Sequence, residues 1–363
     1  MEITGRASGK LLLFGEHAAV HGYPAVGISL LEQLQVTLRT ADSPDVDVSE
    51  WQVPALEDGE KDSDKAKLTA LIEHLASIIP GLPPERKGII EISSTIPRGL
   101  GFGSSAALCA ALARALASLA AVSDNADGRG LEDHERKQDV WRWAHAGETL
   151  FHGTPSGIDT GLALHSGLYR LRPRPPALPS LEPIRSHPLS LVIGATPRHA
   201  RAKELIAAIG EGMAVGNARV RKKLHMLGNI AEHATRVLAE KRSGKVAELG
   251  TVIRESHSLL SQLGLSTDEL DFMLSRGVEA GAAGGKLSGA GGGGAFYLLY
   301  PDAYTARKAA ALLRDAAVKA GIPTADTIRS LTVASELGHR QARQWFSQHL
   351  IRGDNSGSTS PIR

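Results

Sequence analysis

The alternation of apolar and polar positions divides the chain into short strands and long helices, with glycine-rich turns at several joints. Residues 10–14 form an apolar run that stops at Gly15. Leu34, Val36 and Leu38 alternate with polar residues, the period of a half-buried strand. Residues 42–67 are acidic, punctuated by proline and weakly periodic, which predicts an exposed excursion. A helical pattern covers 67–79, and 88–96 reads as a strand running into a glycine-rich loop. Residues 106–121 are almost all Ala and Leu without a breaker, predicting a helix buried on nearly every side. A second helix is predicted over 133–151 and a strand over 162–171. The proline-rich stretch 172–188 lacks pattern and is the expected linker between two halves.

Beyond it, 190–196 predicts a strand, and helical material fills 200–261 with breaks near Gly210 and Ser243. Ser266 and Glu269 have capping-box spacing and open a helix that runs to about Ala280. A glycine cluster, a strand over 295–300 and a helix over 303–320 follow. Residues 353–363 are polar and predicted to be disordered. The pattern is α+β in two domains, residues 1–185 and 186–352.

Composition narrows the function classes. With 42% hydrophobic and 22% charged residues, the 363-residue chain has the balance of a soluble globular protein. A net charge of +2 argues against a nucleic-acid binder that works by neutralising phosphates. Cys109 is the only cysteine, which excludes an intramolecular disulfide and a Cys-based zinc site. It lies in an Ala/Leu run and is expected to be a small buried apolar residue. The four-residue apolar stretch near the N-terminus is too short for a signal-peptide core or a membrane span, so the expectation is a cytoplasmic enzyme with no membrane partner.

Four segments carry candidate chemistry. In the first, Pro97, Gly99, Leu100, Gly101 and Gly103 precede Ser104, Ser105 and Ala106 at the start of the predicted helix. Glycines let backbone approach an anion, and the unpaired N–H groups at a helix N-terminus favour phosphate. A serine hydroxyl there can reach a Mg²⁺ held by the phosphates. An ordinary tight turn with a serine N-cap has the same local pattern. The G-x-G-x-G spacing matches neither the P-loop nor the dinucleotide-binding fingerprint. The second segment, Lys286 to Gly294, has five glycines in six residues directly before a strand, as close approach to a ligand requires. The third holds Glu148 and Asp159, a carboxylate pair suited to ligating Mg²⁺ and facing a substrate hydroxyl. Taken singly, each acid is an ordinary surface charge. The fourth joins Lys10 to Glu16 and His17; His17 and His21 lack the further ligands a zinc site needs.

Together these segments resemble the GHMP kinase superfamily, and within it the mevalonate kinases. GKLLLFGEHAAVHGYPAV is similar to the first family motif, PRGLGFGSSAA to the second and KLSGAGGGG to the third. HGTPSGIDT resembles the stretch bearing the catalytic aspartate, and LLSQLGLSTDELD is typical of the approach to the third motif. The resemblance implies an N-terminal ribosomal-S5-like α/β domain with the phosphate loop and a C-terminal ferredoxin-like α+β domain. It implies Asp159 as catalytic aspartate with Lys10 as its cationic partner, and Glu148 and Ser105 as Mg²⁺ ligands. The loop from Pro97 to Ala106 would bind ATP, and Glu16, His17, Asp159, Ser288, Gly289 and Ala290 would line the acceptor side. The implied reaction converts ATP and (R)-mevalonate to 5-phosphomevalonate and ADP, and relatives are often homodimers. GEHAAVHG differs from the GEHTDY of galactokinase-like members, which favours mevalonate over a sugar. Ala202 stands where the family's Arg-[Ser/Asn]-Thr element would place threonine, which leaves another small hydroxylated acid or a sugar as the alternative acceptor. Ser288 replaces a commoner threonine. A non-catalytic member of the fold would be expected to lose Lys10, Glu148 or Asp159, and all three are present.

Overall fold

The computed structural model describes residues 1–40, 51–53, 62–82, 88–124, 133–152, 155–199, 202–242 and 244–333. The predicted tail and most of the acidic excursion lie outside these residues, although the end of the excursion is already helical from Asp62.

Each half of the chain builds its own antiparallel sheet. Strands β1 (Glu2–Phe14), β2 (Ala25–Thr40), β3 (Gly88–Ser94), β4 (Leu168–Arg174) and β5 (Ala177–Pro183) form the first. Its order is β1-β2-β4-β5, with β3 paired to the far end of β2. Helices α1 (Asp62–Ile78), α2 (Ser104–Asp124), α3 (Asp133–His152) and α4 (Ile158–Leu164) accompany it. Helix α2 is long and apolar enough to cross a membrane, but it is a core helix: its Ala106, Ala107, Ala110, Leu112, Leu116 and Leu119 are buried. The approach to β1 is so close that a Cβ on Gly5 would meet the Ala111 carbonyl oxygen at 2.0 Å. Only glycine fits there.

The second sheet contains β6 (Leu189–Thr196), β7 (Gly284–Leu287), β8 (Gly294–Tyr300) and β9 (Arg329–Val333), in the order β7-β8-β6-β9. Between β6 and β7 run α5 (Ala202–Ala214), α6 (Ala218–Ala239), α7 (Lys245–Ser261) and α8 (Asp268–Glu279); α9 (Ala303–Lys319) joins β8 to β9. Counted within this half, the connectivity is βαββαβ with strand order 4-1-3-2, the ferredoxin-like arrangement.

The fold departs from the sequence reading at identifiable places. Residues 162–171 are not one strand: α4 ends at Leu164 and β4 begins at Leu168. The expected linker over 172–188 is largely the β4–β5 hairpin, whose edge position tolerates prolines that a central strand would not. The helical run breaks at Gly216–Asn217 and not at Gly210, because the Asn217 side chain caps α6 by accepting from the Arg219 and Val220 amides. Thr267, not Ser266, caps α8, accepting from the Leu270 amide.

Candidate active site

The site assembles where β1, the N-terminus of α2, α3 and α4 converge. Lys10 lies beside an irregularity in the β1–β2 register and is 4% exposed. Its amide donates to the Phe102 carbonyl at 2.8 Å, which ties the strand to the glycine-rich loop. Gly103, at φ +82°, touches its side chain: a Cβ there would lie 2.6 Å from Lys10 Cγ. The ammonium reaches Asp159 Oδ2 at 2.9 Å. Asp159 is the second residue of α4, where a carboxylate also meets the positive end of the helix. Its side chain is about one-third exposed, open to a substrate.

Glu148 projects from α3 and is 2% exposed. Burial, reinforced by the Asp159 carboxylate and partly offset by Lys10, raises its pKa to about 8. Its Oε2 has no hydrogen-bond partner among the described residues. One turn along α3, His152 Nε2 lies 3.0 Å from Ser105 Oγ. Burial lowers the His152 pKa, keeping that ring neutral near pH 7. Among the described residues no three His, Cys, Asp or Glu side chains cluster as a protein-only metal cage. A buried carboxylate with one unpartnered oxygen instead suits Mg²⁺, which keeps waters and takes its remaining ligands from substrate phosphates.

A cavity of about 550 Å³ opens beside the loop, lined by Leu34, Val53, Leu68, Arg98, Gly99, Ser104, Ser105 and Phe151 among others. Its apolar walls and the serine-bearing start of α2 suit a base and its phosphates. Pro97 and Leu100 line a separate cavity with Thr324 and Arg329, and Ala106 is fully buried. Gly101 instead borders Arg198: a Cβ there would lie 3.5 Å from the guanidinium Nη2.

The third motif meets the first across the two halves. Ser288 Oγ donates to the Leu12 carbonyl at 2.8 Å and accepts from the Leu12 amide at 3.0 Å. Tyr297 donates to the Leu13 carbonyl at 2.7 Å. His17, at φ 59°, places Nε2 2.9 Å from the Ala290 carbonyl. Gly289 has no atom within 4 Å of where a Cβ would stand. Glu16, expected on the acceptor side, faces Lys286. It is 1% exposed and paired with Lys286 at 2.5 Å, because a buried carboxylate needs a counter-ion.

The sequence reading did not name as site residues two polar groups that the structure brings close to Asp159. Arg198 directly follows β6 and lies close enough to Asp159 for the carboxylate to act on its pKa, while burial lowers that pKa. His152 sits within the segment that carries Glu148 and Asp159 and couples electrostatically to Asp159, Lys10 and Arg198. The arginine was visible only as part of a divergent element, and no spacing rule connects residue 198 to residue 159.

The GHMP kinases N terminal domain profile matches residues 66–167, and the GHMP kinases C terminal profile matches 235–319. The mevalonate kinase of Pyrococcus abyssi is 31% identical over 314 residues, covering 82% of this chain and 89% of that protein. The mevalonate kinase of Thermococcus sibiricus is 31% identical over 317 residues, covering 83% and 90%. The crystal structure of L. major mevalonate kinase in complex with R-mevalonate superposes with a TM-score of 0.72 at 24% identity, covering 91% of this chain and 95% of that one. The chain belongs to the GHMP kinase family, in its mevalonate kinase group.

Proposed function

We propose that this protein transfers the γ-phosphate of ATP to the 5-hydroxyl of (R)-mevalonate, giving 5-phosphomevalonate and ADP. The observation that carries the reading is the 2.9 Å Lys10–Asp159 pair, set between the glycine-rich loop and the buried carboxylate of Glu148. Mevalonate is the acceptor named for the relatives at 31% identity.

Each residue has work that follows from its position. Backbone amides at Gly101, Gly103 and the start of α2 face the phosphates, with Ser104 beside them. Asp159 accepts or orients the hydroxyl proton, and Lys10 both holds that carboxylate in place and stabilises the charge on the transferring group. Arg198 adds a second cation on the side of Asp159 that faces the C-terminal half. Glu148 and Ser105 would hold Mg²⁺. That ion would neutralise phosphate charge when bound. His17, Ser288, Gly289 and Ala290 shape the wall beyond Asp159, and the Glu16–Lys286 pair fixes that wall from behind. A cytoplasmic homodimer is the accompanying expectation, which light scattering on the purified protein reads.

A coupled ADP-release assay with Mg·ATP tests the acceptor, offering (R)-mevalonate beside galactose, homoserine and 5-phosphomevalonate. Turnover on mevalonate alone supports the assignment. Turnover on another acceptor would keep the phosphoryl-transfer chemistry and overturn the substrate, with the region after Arg198 as the place to look.

A further inference from the structure

A second cavity, of about 720 Å³, lies between α3 and the β4–β5 hairpin and belongs to none of the machinery above. Its walls carry Trp141, His165 and Tyr169, with Lys137, Arg142 and Arg174 among the residues around them, and no carboxylate among the described residues lines it. The aromatic wall is ordered. Trp141 and His165 meet edge-to-face at 5.4 Å, and His165 and Tyr169 at 6.2 Å. Tyr169 donates to the Ser166 carbonyl at 3.1 Å, and His165 Nδ1 donates to the Gly161 carbonyl at 2.8 Å. Arg142 pairs with Asp139, whereas Arg174 is exposed and has no carboxylate partner among the described residues. Two lining residues carry buried polar atoms without a hydrogen-bond partner: His145 Nδ1 on α3 and Ser180 Oγ on β5. A smaller cavity of about 300 Å³ shares Lys137 and His165 and adds Ala117, Val140 and Leu164 as an apolar extension.

The floor of this cavity is the back of the catalytic turn. Trp141 Nε1 donates to the Gly157 carbonyl at 3.1 Å, two residues before Asp159. The indole also packs on Gly161, where a Cβ would lie 2.5 Å from Cζ2. Pro179 and His145 close around Gly157, where a Cβ would stand 2.9 Å from Pro179 Cδ and 3.5 Å from His145 Nδ1. His145 and Glu148 are three residues apart on α3 and so share a face. Groups that would touch an occupant are therefore the same groups that fix the position of Asp159.

We infer that this cavity is a second small-molecule site, for an organic anion bearing a flat apolar body, and that its occupancy is felt at the Asp159 turn. The cations at the rim take the anionic group, and the aromatic wall takes the flat body. Binding shifts the enzyme only as far as the occupant distinguishes two positions of the turn.

Titration of the full-length protein with 8-anilinonaphthalene-1-sulfonate, an aromatic sulfonate, tests this by fluorescence. The site predicts saturable binding that persists with saturating Mg·ATP and mevalonate. In Arg174→Glu, the dissociation constant should rise about tenfold or more, since a charge-assisted contact becomes repulsive. Arg174 is exposed and has no carboxylate partner among the described residues, so the variant should keep the wild-type melting temperature and basal turnover. Saturating probe should shift kcat of the wild type, with KM for ATP unchanged, and should leave kcat of the variant unmoved. Displacement by nucleotide, equal affinity in the variant, or an unshifted wild-type kcat would each overturn the proposal. The fluorescence arm does not depend on which acceptor the enzyme uses, so its failure is separate from failure of the substrate assignment.

Discussion

Glu148 shows what burial does to a single carboxyl. Its pKa of about 8 means that the free protein holds it largely protonated near neutral pH, whereas a metal ligand must be ionised. Mg²⁺ affinity is therefore predicted to tighten as pH rises towards about 8, and titrations of Mg²⁺ at fixed ATP across that range read it. Glu148→Gln should weaken Mg²⁺ and flatten the pH dependence; an unchanged titration would remove Glu148 from the ligand set. The same shift has a signature in stability. Because the folded carboxyl binds its proton more tightly than the unfolded one, the native state carries the extra proton between the two pKa values. Metal-free stability should then fall as pH rises from about 4.5 to about 8. Glu148→Gln removes that loss, so its melting temperature should exceed the wild type near pH 8, with the gap closing below the unfolded pKa. In the proposed reaction Lys10 and Asp159 act on the reacting groups themselves. Lys10→Met or Asp159→Asn is predicted to cut kcat by roughly 10²–10⁴ while the circular dichroism spectrum stays native. These three residues were legible in the sequence because each sits in a short motif with a chemical reason. Arg198 and His152 were not read as site residues, because their relevance arises only when β6 and α3 converge on Asp159.

At the level of elements, the glycine-rich loop works by allowing two pieces of backbone to touch. Gly103 both needs its positive φ and leaves room for the Lys10 side chain, so Gly103→Ala strains the loop and pushes the lysine. Its kcat should fall about tenfold or more, as misplaced catalytic groups do, with smaller change in melting temperature. Steady-state kinetics beside thermal denaturation separate the two effects. The loop, α2 and α3 were visible in the sequence because glycine punctuation and apolar content are local signals. The β4–β5 hairpin was not, since its prolines mimic a linker and its pairing depends on being at a sheet edge. Helix α4 was hidden for a different reason. Seven residues give no helical period, and Gly157 rather than a capping side chain starts it.

For the whole molecule, the decisive feature is the seam between the halves. Lys286 and Glu16 pair there with side chains wholly removed from solvent, and Ser288 and Tyr297 bond the β1 backbone beside them. Arg329 and Glu32 form a further cross-half pair at 2.6 Å. Breaking a buried pair strands a charge, so Lys286→Met should cost about 3–5 kcal/mol in denaturant unfolding, and Glu16→Gln/Lys286→Met should recover much of it. If the single variant loses nothing, the pair is not holding the seam. No sequence pattern announces a partner 270 positions away, which is why the pairing of Glu16 with Lys286 was not legible. The two-half α+β plan was legible all the same, because strand and helix periods change at places the structure keeps. The central claim is that this seam presents a mevalonate hydroxyl to ATP beside Asp159. The most direct test follows product formation from Mg·ATP and (R)-mevalonate by phosphorus NMR, in the wild type and in folded Asp159→Ala. The account predicts 5-phosphomevalonate and ADP in equal amounts from the wild type and almost none from the variant. Product from Asp159→Ala at a comparable rate, or none from the wild type, would contradict it.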